Sequence, residues 1–309
     1  MSVTATAITD RYPTRTGQPT TPIPRSHPVV WPGGPPGPAT AAELAGYDRN
    51  GYLVVPGLLA AIEVAALRAE LARLAGDPGS ASDPRVVREK RSGAVRSIFQ
   101  VHRTSPLIRE LVLDPRVLDR ARQILGSDVY VHQSRIDRMP GFVGKGFSWH
   151  SDFETWHAED GLPAPRAVSM SLALTENLPY NGGLMLIPGS HRTFVPCAGE
   201  TPAEHYRASL REQEIGVPAQ ADITRLATAH GIDQFTGAAG SALWFDANVL
   251  HGSGGNITPY PRSNLFVVFN SVDNPPAAPF AAPDRRPAYV AARDVSPLRR
   301  TEEGDGGTE

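Results

Sequence analysis

With 309 residues, 40% of them hydrophobic and 20% charged, the chain is sized for one large domain or two small ones around a substantial core. A formal net charge of −2 excludes a general nucleic-acid or anionic-membrane surface, and no run reaches the roughly 18 apolar residues of a membrane span. The single cysteine, Cys197, excludes an intrachain disulfide and a thiolate-rich zinc site, and it suits a reducing cytoplasm, the expected location.

Residues 1–39 are rich in Pro, Thr and Gly and predict a flexible segment, because such a composition buries too little apolar surface to offset chain entropy. Within it, "PVVW" at 28–31 is expected to tack onto the domain surface, and no signal peptide is expected ahead of it. Residues 40–295 predict a single domain. Thr40 and Glu43 form a capping box for a short helix over 41–47, and "GYLVVPG" (51–57) reads as a strand. "LLAAIEVAALRAELARLAG" (58–76) has the apolar spacing of an amphipathic helix stopped by Gly76. Residues 77–94 read as loop and "SIFQVH" (97–102) as strand. "DPRVLDRARQILG" (114–126) predicts a helix with Asp as N-cap, Pro in the first turn and Gly as stop.

Beyond residue 127 the texture turns to strands: 128–136, 167–174, 182–191, 240–252 and 264–272 are β-branched or aromatic and punctuated by Gly, Pro and Asn. A polar insertion interrupts them at about 197–238, Cys197 at its start reads as a small buried hydrophobe, and 296–309 reads as a polar tail. A helical front followed by many short strands predicts a mainly β fold, an antiparallel sandwich or barrel with helices packed outside.

The stretch "FSWHSDFETWH" (147–157) concentrates ligand-type side chains. On a strand, His150 and Asp152 project from one face, with Ser151 opposite and Glu154 on the ligand face. His251 follows an apolar strand and precedes a Gly-rich turn. Two histidines and a carboxylate make the facial triad of non-haem Fe(II) oxygenases, which leaves metal positions open for a co-substrate and O2. Arg262, 11 residues after His251, offers a guanidinium fork for a carboxylate. His157 is expected to stand behind the ligands, at the surface or in a structural role rather than on the metal, Trp149 to pack behind the strand, and His191 to serve a turn or packing.

Four motifs, "HQSRIDRMPGF", "FSWHSDFETWHAEDGLP", "NGGLMLIPGSH" and "HGSGGNITPYPRSN", together resemble ectoine hydroxylases of the phytanoyl-CoA dioxygenase-like branch of Fe(II)/2-oxoglutarate oxygenases, over about residues 45–290. The resemblance implies a double-stranded β-helix (jelly-roll, cupin-like) core. It implies Fe(II), with 2-oxoglutarate and O2 as co-substrates, and hydroxylation of ectoine to 5-hydroxyectoine. It assigns His150, Asp152 and His251 to iron, and Arg262 with nearby Ser253 to 2-oxoglutarate. Around the ectoine ring it places Gln133, Trp156, Ala167, Phe245, Asn264 and Phe266. Aromatic faces suit the amidinium of this zwitterion through cation–π attraction. Many members of the group carry Lys at the position of Met139 and Asn at that of Asp137. Methionine supplies no charge, so that contact to 2-oxoglutarate is lost or replaced, with Arg135 or Arg138 as the neighbouring cations. The resemblance also points to a homodimer, for which no stretch of sequence supplies an interface.

Three other readings share parts of the pattern. A sister dioxygenase for another small zwitterion, proline-like or betaine-like, would keep the triad and Arg262 without needing all of "FETWHAEDG". A non-enzymatic cupin-like metal sensor would not need Arg262. A zinc hydrolase on the same three ligands would be active without O2.

Overall fold

The computed structural model describes residues 9–18, 20–89, 93–210 and 213–300. A two-residue strand, β1 (Ile23–Pro24), precedes α1 (Ala41–Asn50). The expected capping box starts α1, with Thr40 Oγ1 accepting from Glu43 N and the Glu43 carboxylate accepting from Thr40 N. Gly51 ends it in the left-handed region at φ +82°. After β2 (Tyr52–Val55), α2 (Ala61–Gly76) begins three residues later than the apolar spacing suggests and includes Gly76.

Two stretches differ from expectation next. The supposed loop after α2 contains β3 (Val86–Arg88), which pairs with β4 (Val95–Phe99). Gln100, at φ +59°, turns the chain out of β4 into α3 (Val101–Thr104) and then α4 (Pro106–Leu113), so the strand does not reach residue 102. α5 (Pro115–Leu125) lies where its caps put it, between Asp114, whose side chain accepts from Arg116 N, and Gly126. The β-rich half follows: β5 (Val129–Met139), β6 (Phe147–His150), α6 (Asp152–Thr155) with a π-helical turn (Trp156–Asp160), β7 (Ala167–Ala173), β8 (Leu184–Leu186) and β9 (Thr193–Phe194). The insertion carries α7 (Tyr206–Ser209), α8 (Gln220–His230) and β10 (Asp233–Gln234), ahead of β11 (Ala242–Asp246), β12 (His251–Ser253) and β13 (Arg262–Ser271).

Besides the two-stranded β1–β9 pair, two larger antiparallel sheets result, one of seven strands in the order β2-β11-β7-β13-β5-β4-β3 and one of four in the order β10-β8-β12-β6. Strand alternation divides the side chains between two layers. On β11 and β13, Trp244, Leu265, Val267 and Phe269 face the helices and join Leu67, Leu71, Ile108, Leu118 and Ile124 in the main core. Leu243, Phe245 and Phe266 face inward and meet Leu184 and Leu186 of the smaller sheet. This is the jelly-roll core, and the candidate site opens between its two sheets.

The expectation of a flexible N-terminal segment is corrected for the described part of it; residues 1–8 lie outside the described residues. Tyr12, Thr14, Arg15, Val29 and Ala39 are buried. β1 pairs with β9, and Trp31 N donates to Ile124 O at 2.9 Å. Few side chains in the segment are apolar, but Tyr12, Val29 and Ala39 among them are buried, and the buried side chains of Arg15 and Arg25 meet carboxylates. At the other end the polar tail follows the body as far as residue 300, with Leu298 packed on the main core and Arg300 paired with Asp119.

Candidate active site

β6 and β12 pair with His150 directly opposite His251, which sets the two imidazoles 4.2 Å apart, centroid to centroid. Each ring is oriented by its own chain. The Nδ1 of His150 donates to Ser148 O at 2.8 Å, and that of His251 to Val249 O at 3.0 Å. This fixes the tautomer and leaves both Nε2 lone pairs pointing into the space between the strands. Asp152 Oδ1 lies 3.6 Å from His150 Nε2 and 3.8 Å from His251 Nε2. Its second oxygen accepts from Ser169 Oγ at 3.3 Å.

Asp152 reaches this position differently from the strand argument. β6 stops at His150, and Ser151 becomes the N-cap of α6, its hydroxyl accepting from Glu154 N at 3.4 Å. The helical turn, not strand alternation, folds the carboxylate back beside the imidazoles. The same turn sends Glu154 away from them into the interior, where it pairs with Arg15.

Burial by itself would raise the Asp152 carboxyl, but His251, His150 and Arg135 outweigh it and hold the group well below the usual carboxylate range. Burial and the neighbouring His150 push His251 down to about 4. At neutral pH the cluster therefore holds an ionised carboxylate beside a neutral His251, with no Lys or Arg side chain paired to the carboxylate among the described residues. Metal ligands need those protonation states. The three ligand atoms lie within 4.8 Å of one another, with Asp152 Oδ1 at 3.6 and 3.8 Å from the two Nε2, wider than the roughly 3 Å that facial bonds of about 2.1 Å to one ion would give. The donor set, two nitrogens and one oxygen, fits ferrous iron with open positions.

A cleft leads from these three residues past Met139 and Arg262 to the surface. Arg262 is buried, and among the described residues its Nε has no hydrogen-bond partner and its Nη2 faces only the Met139 sulfur at 3.9 Å. Burial pushes this guanidinium down to about 10, a measure of how poorly it is compensated. An uncompensated buried cation is costly, and a carboxylate arriving from the cleft relieves that cost. Ser253, two residues beyond His251, also lines the cleft. Met139 stands opposite Arg262 on the β5–β13 ladder, under Gly144 and Gly182; a Cβ on Gly182 would come within 2.2 Å of its sulfur.

Along β5, Gln133, Arg135, Asp137 and Met139 share the cleft-facing side. Arg135 does not reach toward Arg262. It pairs with Asp137 at 2.8 Å, donates to the Gln133 amide oxygen, and lies over the Phe266 ring at 4.6 Å. Of the six residues expected around the substrate, Gln133, Trp156 and Phe266 line the cleft. Phe245 sits behind His251 at 5.0 Å, and Ala167 packs beneath Trp156. Asn264 is fully buried between β5 and β7; its amide donates to Ser171 Oγ, and its Oδ1 has no partner. Trp149 packs on Ile187, Val195 and Leu250, and His157 stacks on Phe280 at 4.0 Å, both as expected.

Sequence reasoning missed Arg286. It lines the cleft and makes a two-pronged contact to Asp160, which also accepts from His132 Nε2 at 3.1 Å. The stretch around it has no periodicity, and only the "EDG" of the long motif hinted at a buried acid needing a partner. Lys145 also lines the cleft and had not been singled out.

The chain matches the family described as phytanoyl-CoA dioxygenase over residues 47–264. It is 60% identical to the ectoine dioxygenase of Nocardia farcinica over 94% of this chain and 95% of that one. It is 57% identical to the ectoine dioxygenase of Streptomyces avermitilis over 95% of this chain and all of that one. Among solved structures it is similar to EctD from S. alaskensis with 2-oxoglutarate and 5-hydroxyectoine, with a TM-score of 0.84 and 43% identity over 94% of this chain and 96% of that one. The same protein with bound Fe gives a TM-score of 0.84.

Proposed function

As the chain belongs to the phytanoyl-CoA dioxygenase family, we propose that it hydroxylates ectoine to 5-hydroxyectoine, converting 2-oxoglutarate and O2 to succinate and CO2. The observation that carries this reading is the uncompensated guanidinium of Arg262 in the same cleft as the His150, Asp152 and His251 cluster. A metal site alone would fit a sensor or a hydrolase. A metal site beside a buried, unpaired fork for a carboxylate fits an oxygenase that takes a dicarboxylic co-substrate.

The three ligand residues hold ferrous iron. The chemistry supplied by the bound ion is activation of O2, which couples decarboxylation of 2-oxoglutarate to insertion of one oxygen atom into a ring C–H bond. Arg262 takes the far carboxylate of 2-oxoglutarate, with Ser253 beside it, and so orients the keto acid toward the ligands. Met139 brings no charge of its own to the cleft, which Arg96, Arg138 and Lys145 also line, and Arg135 is engaged by Asp137 and Gln133. Trp156 and Phe266 wall the substrate side and exclude water, and Phe245 and Ala167 support them from behind. The Gln133 amide, already donating one N–H to Val290 O at 2.8 Å, keeps its second N–H for the ligand. Asn264, buried behind this wall and bonded to Ser171 Oγ, holds β13 against β7 and does not itself line the cleft. The reading includes a homodimer in the cytoplasm, the latter supported by the single cysteine; light scattering of the purified chain checks the assembly.

The test is anaerobic loading with Fe(II) and 2-oxoglutarate, followed by ectoine and O2. One succinate per 5-hydroxyectoine is expected. Succinate without hydroxylated ectoine points to another small zwitterion as substrate. No O2 uptake at all returns the sensor or hydrolase.

A further inference from the structure

Two buried arginines of the N-terminal strap reach the two chain segments that carry the iron ligands. Arg15 grips Glu154 with both prongs, Nε at 2.9 Å and Nη2 at 2.8 Å, and Nη1 donates to Glu159 at 2.6 Å. The Arg15 and Glu154 side chains are both fully buried. Thr14 Oγ1 donates to the same Glu154 carboxylate at 2.7 Å, and the Arg15 amide donates to Cys197 O. Glu154 lies between ligand Asp152 and cleft wall Trp156, so one ion pair fixes the short helix that begins at Asp152 and leads into Trp156. Tyr12 adds an edge-on contact to Phe153 at 5.1 Å.

Arg25 does the equivalent on the other side. Its Nη1 donates to Asp246 at 2.8 Å with both side chains 2% exposed, and its Nη2 donates to the carbonyls of Pro28 and Pro165. Asp246 ends β11 and accepts from Asn248 N, opening the turn that delivers His251. The two ligand segments also touch directly. Phe153 N donates to Ala247 O at 2.7 Å, and Ser151 Oγ to Asn248 Oδ1 at 3.2 Å. The strap therefore holds both halves of the metal site from behind without touching the cleft.

We infer that residues 12–18 and 20–25 form a clamp setting the position of Asp152 relative to His251, and that Arg15 and Arg25 are positioning residues for the metal site. The inference rests on the iron- and 2-oxoglutarate-dependent reading. A buried ion pair is weak evidence of stabilisation but strong evidence of fixed geometry, because a fork on a carboxylate has few alternatives once dry. Support behind metal ligands is worth about 10- to 100-fold in metal affinity.

The test uses the full chain with Arg15→Ala, Arg25→Ala and Arg15→Lys. Co(II) is titrated anaerobically by its visible absorption, and the ratio of hydroxylated product to succinate is measured after Fe(II) loading. Both alanine variants are expected to bind Co(II) about tenfold more weakly and to make excess succinate, with the KM for 2-oxoglutarate unchanged. Arg15→Lys recovers only part, since an ammonium cannot make the two-pronged contact. Wild-type Co(II) affinity and product ratio in a folded Arg15→Ala overturn the clamp. Should that variant not fold, Arg15→Lys and Thr14→Val carry the test, and wild-type values in both overturn it. A wrong substrate shows separately, as absence of 5-hydroxyectoine from the wild-type chain, and leaves the Co(II) titration unaffected.

Discussion

Arg262 and Met139 face each other across two strands, and the pair sets how the cleft receives an anion. Met139→Lys places a second cation beside a guanidinium that already lacks compensation. The ligand-free protein should melt lower, while the KM for 2-oxoglutarate should fall. Melting with and without 2-oxoglutarate checks both, and an unchanged KM would place the added charge outside the co-substrate's reach. The metal ligands are less subtle: His150→Ala, Asp152→Ala or His251→Ala should each abolish Fe(II)-dependent succinate formation, and full activity in any one removes that residue from the triad. Trp156→Phe keeps most of the buried volume and should raise the KM for ectoine without affecting 2-oxoglutarate binding, read from initial rates. Titration also shows at this scale. Burial, aided by Arg103 and Arg109, pushes the largely buried His102 down to about 4. The unfolded chain, with an ordinary imidazole near 6.5, takes up a proton that the folded one refuses. Stability is full above about pH 6.5 and falls as the pH drops toward 4. This histidine's share is on the order of 2 kcal/mol at pH 5. His102→Gln should therefore flatten the fall of the melting temperature between pH 7 and 5.

The elements differ in how openly the sequence announces them. α2 and α5 carry apolar spacing and caps within their own residues, and α1 carries its capping box, so all three are legible. The inward and outward division of β11 and β13 is legible as alternation. α4 is not, because eight residues starting at Pro106 hold too few turns for a period to show. Nor is α6. His150, Ser151 and Asp152 read equally well as strand, and only the Ser151 cap, competing with strand pairing to β12, decides that helix begins at the carboxylate. The ligand identities survive that misreading because the pairing of His150 with His251 fixes two of the three. The π-turn that follows depends on Gly161 at φ +81°, where an added Cβ would lie 2.2 Å from Ala277 O. Gly161→Ala combines a left-handed penalty of about 1–2 kcal/mol with that clash. It should lower the melting temperature and weaken ectoine binding together, since the same turn carries Trp156.

For the whole molecule, what the sequence concealed is long-range charge pairing. Arg15 and Arg286 lie in stretches that look like solvated surface or loop. Their partners are more than a hundred residues away, so no local window contains the pair. Composition likewise suggested a loose N-terminus, because the Pro-rich stretch has few apolar side chains. The fold uses it through two arginines and a few aromatic contacts. The family resemblance made the ligand set and the fold legible, but it could not reveal which residues stand behind them.

The strap has a consequence for the order of events during synthesis. Arg15 leaves the ribosome before the rest of the domain, yet its partner Glu154 lies 139 residues further on, and Asp246 lies 221 residues beyond Arg25. The first pair cannot form until about half of the given sequence has emerged, nor the second until about four fifths has. Closing loops of this length is also slow. The strap residues are thus among the last of the domain to find their places, and firm iron binding is expected only once residues 154 and 246 have both emerged. A nascent chain halted before residue 246 should bind metal no better than its free histidines allow.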